Sequence, residues 1–474
     1  MLRTGTAPRV LIATFGSRGD IRPHVLLART LMARGHEVTL LTNEEFQNYC
    51  RNLGVEPVLI STPFGRHLGA RPAGSPRPSL SGFLRDANAF VTDAFRQCHG
   101  LIRGADLVVY NASAFFCAEL AREQGKPAIH VALQPLLPSC RAPLSLLSGA
   151  GCGSLSTRLS HQAMRALPLL LRSGIREGRR RTGAGARLRP WTNPLTTGLH
   201  YADQVLAFSE SLVADPGDWP GRKTQTGFWF DKAPPAPLSA EVRQFLGAGP
   251  PPVYVGFGSM VWRSRKNARL VIEALRLFEG RVVLGPAIAR TEDDLPPNVL
   301  RLGFHDHAAL FPHMAAAIHH GGAGTTAEGL RHGLPTAVFP VIGDQGFWGA
   351  QVARLGAGPP PVPLRRVTPA ILADTLHRVS ATPAYEKAAA GLATRLAAEP
   401  GLERAVDLIE TRLTEAAAQE SIHLAPGLQV RAGRLGHGTG GLLLPPAAAR
   451  NLARLRNPFR KQPVPEGALE AGRA

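Results

Sequence analysis

Short apolar runs alternate with longer stretches whose apolar positions recur at helical spacing, and this alternation repeats along most of the chain. Arg9–Thr14 reads as a strand of a parallel sheet. A glycine-rich turn over 15–23 follows, then a helix predicted over His24–Arg34, with Pro23 suited to its first turn and Gly35 to its exit. Glu37–Thr42 completes a strand–helix–strand unit of the right-handed crossover kind. Further strands are predicted at Val55–Ile60, Asp106–Tyr110, Ala128–Leu133 and Gln204–Phe208, with helices between them. Ala233–Leu238 is proline-rich and reads as a linker. A second series then starts in the same way: strand Pro252–Phe257, a turn at Gly258–Ser259, a helix over 266–278, and strands at Arg281–Leu284, Val299–Leu302, Ala316–His319 and Thr336–Phe339. Ala388–Ala398 and Leu402–Ala418 are rich in strong helix formers. The predicted class is α/β, with two Rossmann-like domains (1–232 and 251–420) whose parallel sheets face a central cleft. A linker is expected over 233–250, and a basic, largely disordered tail over 421–474.

Composition narrows the class. The 474 residues suit two or three domains, and 44% hydrophobic residues are ordinary for a globular chain. No run approaches the roughly 18 to 20 apolar residues of a membrane span. The first apolar run, Val10–Thr14, is short for a signal segment, and the five cysteines form no CxxC pair, so a cytoplasmic protein is expected. The net charge of +19 is carried almost wholly by arginine, since only six of the 54 basic residues are lysine. Seven arginines fall within 172–190, and the tail carries eight basic and two acidic residues. These clusters raise the expectation of a peripheral contact with an anionic membrane. With 6% aromatic residues and no recognisable module, nucleic acid is not expected as a partner.

The chemistry concentrates in a few turns. Ile318–Leu330 reads His-His-Gly-Gly-Ala-Gly-Thr-Thr between a strand and a helix expected to start near Thr325. Gly322, Gly324 and Thr325 would let the backbone and a helix N-terminus approach an anion. His320 would donate to a phosphate oxygen, and Glu328, a turn further on, could grip ribose hydroxyls; a pair of buried structural histidines is the plainer alternative. Asp344 and Gln345 follow the last predicted strand and offer an acid and an amide to sugar hydroxyls, or alternatively an ordinary turn or helix cap.

Taken together, these segments resemble the donor signature of family 1 glycosyltransferases, the UDP-glycosyltransferase superfamily: Glu328, Asp344 and Gln345 stand 8, 24 and 25 residues beyond His320. GSRGD at 16–20, VYVGFGSM at 253–260, HHGGAGTT at 319–326 and GDQGFWG at 343–349 resemble its bacterial and fungal branch of sterol glucosyltransferase-like and antibiotic glycosyltransferases. Pro216–Pro220 and Thr226–Trp229 resemble the inter-domain region of that branch.

The resemblance implies the GT-B fold, with the acceptor on the N-terminal domain and the donor on the C-terminal one. It implies inverting transfer with no metal ion and no cofactor beyond the sugar nucleotide. The partners are then a nucleotide-sugar donor and a lipophilic hydroxylated acceptor. Gly258 and Ser259 join His320, Gly322, Gly324, Thr325, Glu328, Asp344 and Gln345 as donor-binding residues. Asp20 takes the place of the catalytic base, with His24 in reserve and an N-cap as the structural alternative for Asp20. Asn111 stands where plant members carry a relay aspartate and cannot serve in that way.

Two departures bear on the donor. His307–Pro312 lacks the tryptophan found near the nucleobase, and Glu328 replaces a small residue, which favours UDP over dTDP sugars. The expected reaction is glucosyl transfer to a sterol, polyketide, macrolide or flavonoid hydroxyl. Alternatives are a rhamnosyl or other deoxysugar transferase of glycolipid synthesis, and a non-catalytic sugar-nucleotide-binding auxiliary protein.

Overall fold

The computed structural model describes residues 7–61, 79–142, 145, 169–184, 194–257, 265–285, 295–303 and 305–424. The expectations for Gly258, Ser259 and residues 425–474 of the tail therefore lie outside the described residues, as does the 185–190 end of the arginine-rich segment.

The first lobe is built on seven strands: β1 (Arg9–Ala13), β2 (Glu37–Asn43), β3 (Pro57–Ile60), β4 (Leu107–Asn111), β5 (Ala128–Ala132), β6 (Asp203–Leu206) and β7 (Lys223–Gln225). Their order is β3-β2-β1-β4-β5-β6-β7, and every pairing is parallel. The second lobe has β8 (Val253–Gly256), β9 (Val282–Leu284), β10 (Val299–Arg301), β11 (Ala316–His319) and β12 (Thr336–Val338), in the order β10-β9-β8-β11-β12, again all parallel. Two successive Rossmann-like sheets are present, as the alternating pattern predicts. β7 was not predicted: its residues Lys-Thr-Gln are polar and only partly buried, so this edge strand has no apolar signature.

Each sheet reverses its strand order once, between β1 and β4 in the first lobe and between β8 and β11 in the second. Loops leaving the carboxyl ends of strands diverge at such a switch point and open a crevice there. Helix α1 (Arg18–Ala33) leaves β1 at the first switch point. It begins at Arg18, not at His24, so Pro23 lies inside it and not in its first turn. The amide that Pro23 lacks would have bonded the Gly19 carbonyl; Gly19 is exposed, so water can replace that bond. Farther along, α2 (Leu80–Ile102) packs against the arginine-rich α3 (Arg172–Thr182). The contact is close: a Cβ on Gly174 would come within 2.4 Å of the Asn88 carbonyl oxygen, and one on Gly178 within 2.8 Å of the Phe95 ring. In the second lobe α4 (Ala323–Arg331) follows β11 and α5 (Gln345–Arg354) follows β12. The proline-rich stretch 233–238 carries no helix or strand, and a helix at Ala240–Gly247 leads into β8.

The lobes share buried surface. Phe208 and Phe228 of the first lobe meet Trp348 of α5 edge-on or tilted, at centroid distances of 6.4 and 5.8 Å. The final helix, α6 (Gly401–Leu424), returns to the first lobe, where Leu402, Val406, Ile409 and Leu413 join the core of Val10, Ile12, Val25 and Ile129. Polar contacts fix its register: Arg412 forks onto Asp203 of β6 at 2.6 and 3.3 Å, and Glu410 takes Arg34 and His36 at 2.9 and 3.1 Å. No described helix is long and apolar enough to cross a membrane.

Because Ile409 is 1% exposed in the core of the first lobe, Ile409→Ala should cost about 2 to 4 kcal/mol in equilibrium denaturant unfolding. A loss confined to local fraying of α6 would contradict this placement.

Candidate active site

The turn from β1 into α1 is held from both sides. Asn111, at the end of β4, accepts from the Phe15 amide at 3.3 Å and donates its Nδ2 to the Phe15 carbonyl at 2.8 Å. Asn43, at the end of β2, accepts from the Gly16 amide at 3.2 Å. Asn111 thus clamps backbone, and its recorded bonds do not reach the carboxylate of Asp20. Gly16 has φ +133°, and a Cβ there would lie 2.5 Å from Asp20 Oδ2, so this turn demands glycine.

Asp20 is the third residue of α1, with Ser17 at the N-cap. The Ser17 amide and hydroxyl both donate to Asp20 Oδ2, at 2.8 and 2.9 Å, leaving Oδ1 free of Ser17. The Asp20 backbone carbonyl accepts from Thr14 Oγ1 at 3.2 Å and from His24 Nδ1 at 2.7 Å. Burial pushes the Asp20 carboxyl up to about 6, the two Ser17 bonds oppose this, and the charge of Asp344 in the second lobe adds to the rise. Asp20 is therefore the N3 partner in the cap, not the cap itself, and its proton affinity responds to the opposite lobe.

His24 is fully buried. A carbonyl only accepts, so Nδ1 carries the proton, and Nε2 has no partner among the described residues. Burial holds its pKa down at about 4, against the pull of the Asp20 carbonyl and with a further lowering from His130. The reserve base thus stands beneath the backbone of Asp20, with the edge of Trp229 at a centroid distance of 6.2 Å.

In the second lobe the glycine turn after β11 is equally constrained. His319 is fully buried and accepts the Gly321 amide on Nδ1 at 2.9 Å. Gly321 has φ +91°, and a Cβ there would strike Val338 and the Gln345 carbonyl at 2.5 and 2.6 Å. Gly322 caps α4, which begins at Ala323, so Gly324 and Thr325 fall in its first turn. His320 is half-buried, with Nε2 over Gly322 and Nδ1 buried without a partner among the described residues. Burial lowers its pKa to about 4 although the Gly256 carbonyl opposes the shift, so the ring is neutral at pH 7. Of the two adjacent histidines, one is structural and the other faces the turn.

Glu328 is 2% exposed, deep in α4. Its Oε1 receives His332 Nε2 at 3.1 Å and Arg331 Nη2 at 3.3 Å. Burial would raise this carboxyl, but the His332 bond and the charges of Arg331 and Arg22 hold it below the ordinary value. Asp344 precedes α5 as its cap residue, yet its side chain bonds Trp348 Nε1 at 2.7 Å through Oδ2 and no amide of the cap. Burial raises its pKa and the Trp348 bond opposes the rise. Gln345 Oε1 accepts from the Val341 and Ile342 amides at 2.8 and 3.1 Å, so its amide oxygen is spent on the loop before α5.

The structure thus brings Asp20 and Asp344 into electrostatic contact and sets the His320–Thr325 turn between the second lobe's strand ends. It also adds residues the sequence did not mark. Arg22 of α1 reaches across to Asp306 at 3.6 Å. His307 Nε2 and the Tyr254 hydroxyl are hydrogen-bonded at 3.1 Å, and the imidazole stacks on Phe311 at a centroid distance of 4.5 Å. The Ser17–Asp20 spacing was a readable sign, since it is that of a capping box. Arg22 had none, because its partner lies far along the chain. Among the described residues, no three His, Cys, Asp or Glu side chains gather as a metal site.

Comparison with known proteins bears on this site. Residues 10–121 match the glycosyltransferase family 28 N-terminal domain, and residues 269–411 the erythromycin biosynthesis protein CIII-like C-terminal domain. The chain is 31% identical to the O-mycaminosyltylonolide 6-deoxyallosyltransferase of Streptomyces fradiae over 85% of its own length and 97% of that protein. It is 30% identical to a sterol 3-beta-glucosyltransferase of Arabidopsis thaliana, over 78% of its own length and 60% of that longer protein. Among solved structures it resembles the glycosyltransferase of kitacinnamycin, with a TM-score of 0.66 at 20% identity over 86% of this chain and 99% of that one. That last likeness concerns the fold.

The carboxyl of Asp20 should titrate near pH 6 in carbon-13 NMR, and Asp344→Asn should move the midpoint lower. An unchanged midpoint would mean that the two carboxylates do not sense each other.

Proposed function

The chain belongs to the GT-B glycosyltransferases of the UDP-glycosyltransferase superfamily, and from that premise we propose that it moves a hexose from a nucleoside-diphosphate sugar, UDP-glucose by preference, to a hydroxyl of a lipophilic small molecule. What carries the reading is the placement of Asp20 at one switch point, facing the second lobe's Asp344, with the His320–Thr325 turn at the other switch point. The acceptor hydroxyl attacks the anomeric carbon, and its proton passes to Asp20. The bond to the β-phosphate breaks, and its electron pair leaves on the phosphate oxygen. A base on one wall and a leaving-group site on the other suit a single displacement with inversion.

The same geometry divides the supporting roles. The amides of the first turn of α4 and the dipole behind them favour the developing charge. His320 is a neutral donor to the diphosphate, not an added cation. Gly258 and Ser259 are assigned to the same diphosphate from their motif alone. His24 positions the backbone of Asp20 and takes no proton itself. Asp344 and the Gln345 amide meet sugar hydroxyls. Glu328 is assigned to the ribose from the family resemblance, and that assignment favours UDP over dTDP donors. No metal ion is required in this reading. The four described cysteines are all free thiols, which fits a reducing cytoplasm. Deoxysugar transfer is the second reading, favoured by the relative whose name specifies a 6-deoxyallosyl group.

The test is incubation with UDP-glucose, dTDP-glucose and dTDP-rhamnose against a panel of hydroxylated sterols, polyketides and flavonoids, read by product mass. Product from UDP-glucose, undiminished by EDTA, is expected. Product from dTDP-rhamnose alone would establish the second reading, and no product from any pair would overturn both. With a productive pair, Asp20→Asn should lower turnover roughly 10²- to 10⁴-fold while donor binding persists. A base acts deprotonated, so kcat/KM should climb with pH through about 6 and then level off. An acid limb that survives in the Asn variant would exclude Asp20.

A further inference from the structure

Among the described residues, a cation of the first lobe stands close to the donor site. A departing nucleoside diphosphate carries several negative charges. Against them the second lobe sets the N-terminus of α4, equivalent to roughly half a positive charge, and an imidazole that is neutral at pH 7. Arg331, Arg18 and Arg22 are described cations of this corner. Arg331 is engaged twice, by Glu328 on its own helix at 3.3 Å and by the Phe230 ring at 4.5 Å. The guanidinium of Arg18 lies over the Tyr49 ring, 4.5 Å from its centroid.

Arg22 is held differently. Its ion pair with Asp306 is long, at 3.6 Å, and both side chains are partly exposed, at 27% and 40%. Such a pair holds its members weakly. Asp306 caps the short helix His307–Leu310, which packs on α4, so the guanidinium stands beside the donor-lobe helix whose first turn is the anion cradle, and its charge is felt at Glu328 and His307. Glu328 is one helical turn from Thr325, a separation that a long, flexible arginine side chain can cover.

Resting on the donor reading above, we propose that Arg22 is the counter-cation of the leaving diphosphate, parked on Asp306 until a sugar nucleotide binds and then drawn onto its phosphate oxygens. The lobe that supplies the base thereby also supplies positive charge to the diphosphate. As the bond from the anomeric carbon to the phosphate oxygen breaks, the electron pair settles on an oxygen that Arg22 neutralises, while the acceptor's proton moves to Asp20, two residues away along α1. Closure of the lobes on the donor and activation of the acceptor then share one helix.

UDP and dTDP binding, measured by calorimetry on the full chain, separates this role from that of a simple latch between lobes. Arg22→Gln should weaken the bound nucleotide about 10- to 100-fold, the range spanned by a charge-assisted hydrogen bond, and flatten the dependence of affinity on salt. Arg22→Lys should restore most of the affinity. Asp306→Asn, which keeps the capping oxygen but releases Arg22, should bind as tightly as the native protein or more tightly. If Asp306→Asn weakens binding as Arg22→Gln does, the pair is a latch and the proposal fails. It also fails if Arg22→Gln binds like the native protein, or weakens binding with no change in salt dependence. A native protein that binds neither nucleotide would instead overturn the donor reading itself.

Discussion

Two carboxylates, one from each lobe, lie close enough that the charge of Asp344 makes Asp20 harder to ionise. Most of what surrounds them serves to hold that arrangement. Asp20 is fixed by Ser17 at its head and by Thr14 and His24 at its backbone carbonyl, and the turn before it is clamped by Asn43 and Asn111. Asp344 is fixed by Trp348, whose indole is buried between Phe208 and Phe228 of the other lobe. The basicity at Asp20 is therefore tied to how the lobes pack.

The histidines of the cleft divide into structural and ligand-facing members by their hydrogen bonds. His319 and His24 spend a ring nitrogen on backbone at fixed distances, and both are completely buried. His320, next in sequence to His319, keeps its ring over the glycine turn. His319 ends β11 and His320 opens the turn beyond it, so adjacency in sequence is no guide to shared duty.

The architecture was legible because parallel strands buried on both faces leave continuous apolar runs, and eleven strands could be placed from them. β7 escaped because an exposed polar edge strand leaves no such run. The start of α1 escaped because Pro23 imitates a helix beginning, whereas the true signal was Ser17 three residues ahead of Asp20. Within the site, the glycines and the residues spaced from His320 could be read, since each sits at a strand end where a local pattern marks the turn. Arg22, Asp306 and Trp348 could not be read, because what they do depends on side chains contributed by the opposite lobe. The ion pairing of Glu328 with Arg331 and His332 was readable in principle, from residues three and four positions on along one helix.

The return of α6 to the first lobe has a consequence for biosynthesis. The apolar face made by Val10, Ile12, Val25 and Ile129 is completed by Leu402, Val406 and Ile409. A nascent chain leaving the ribosome displays that face uncovered while the whole of the second lobe is still being translated. The first lobe is thus made first and sealed last, and the interval between is when a chaperone would find it.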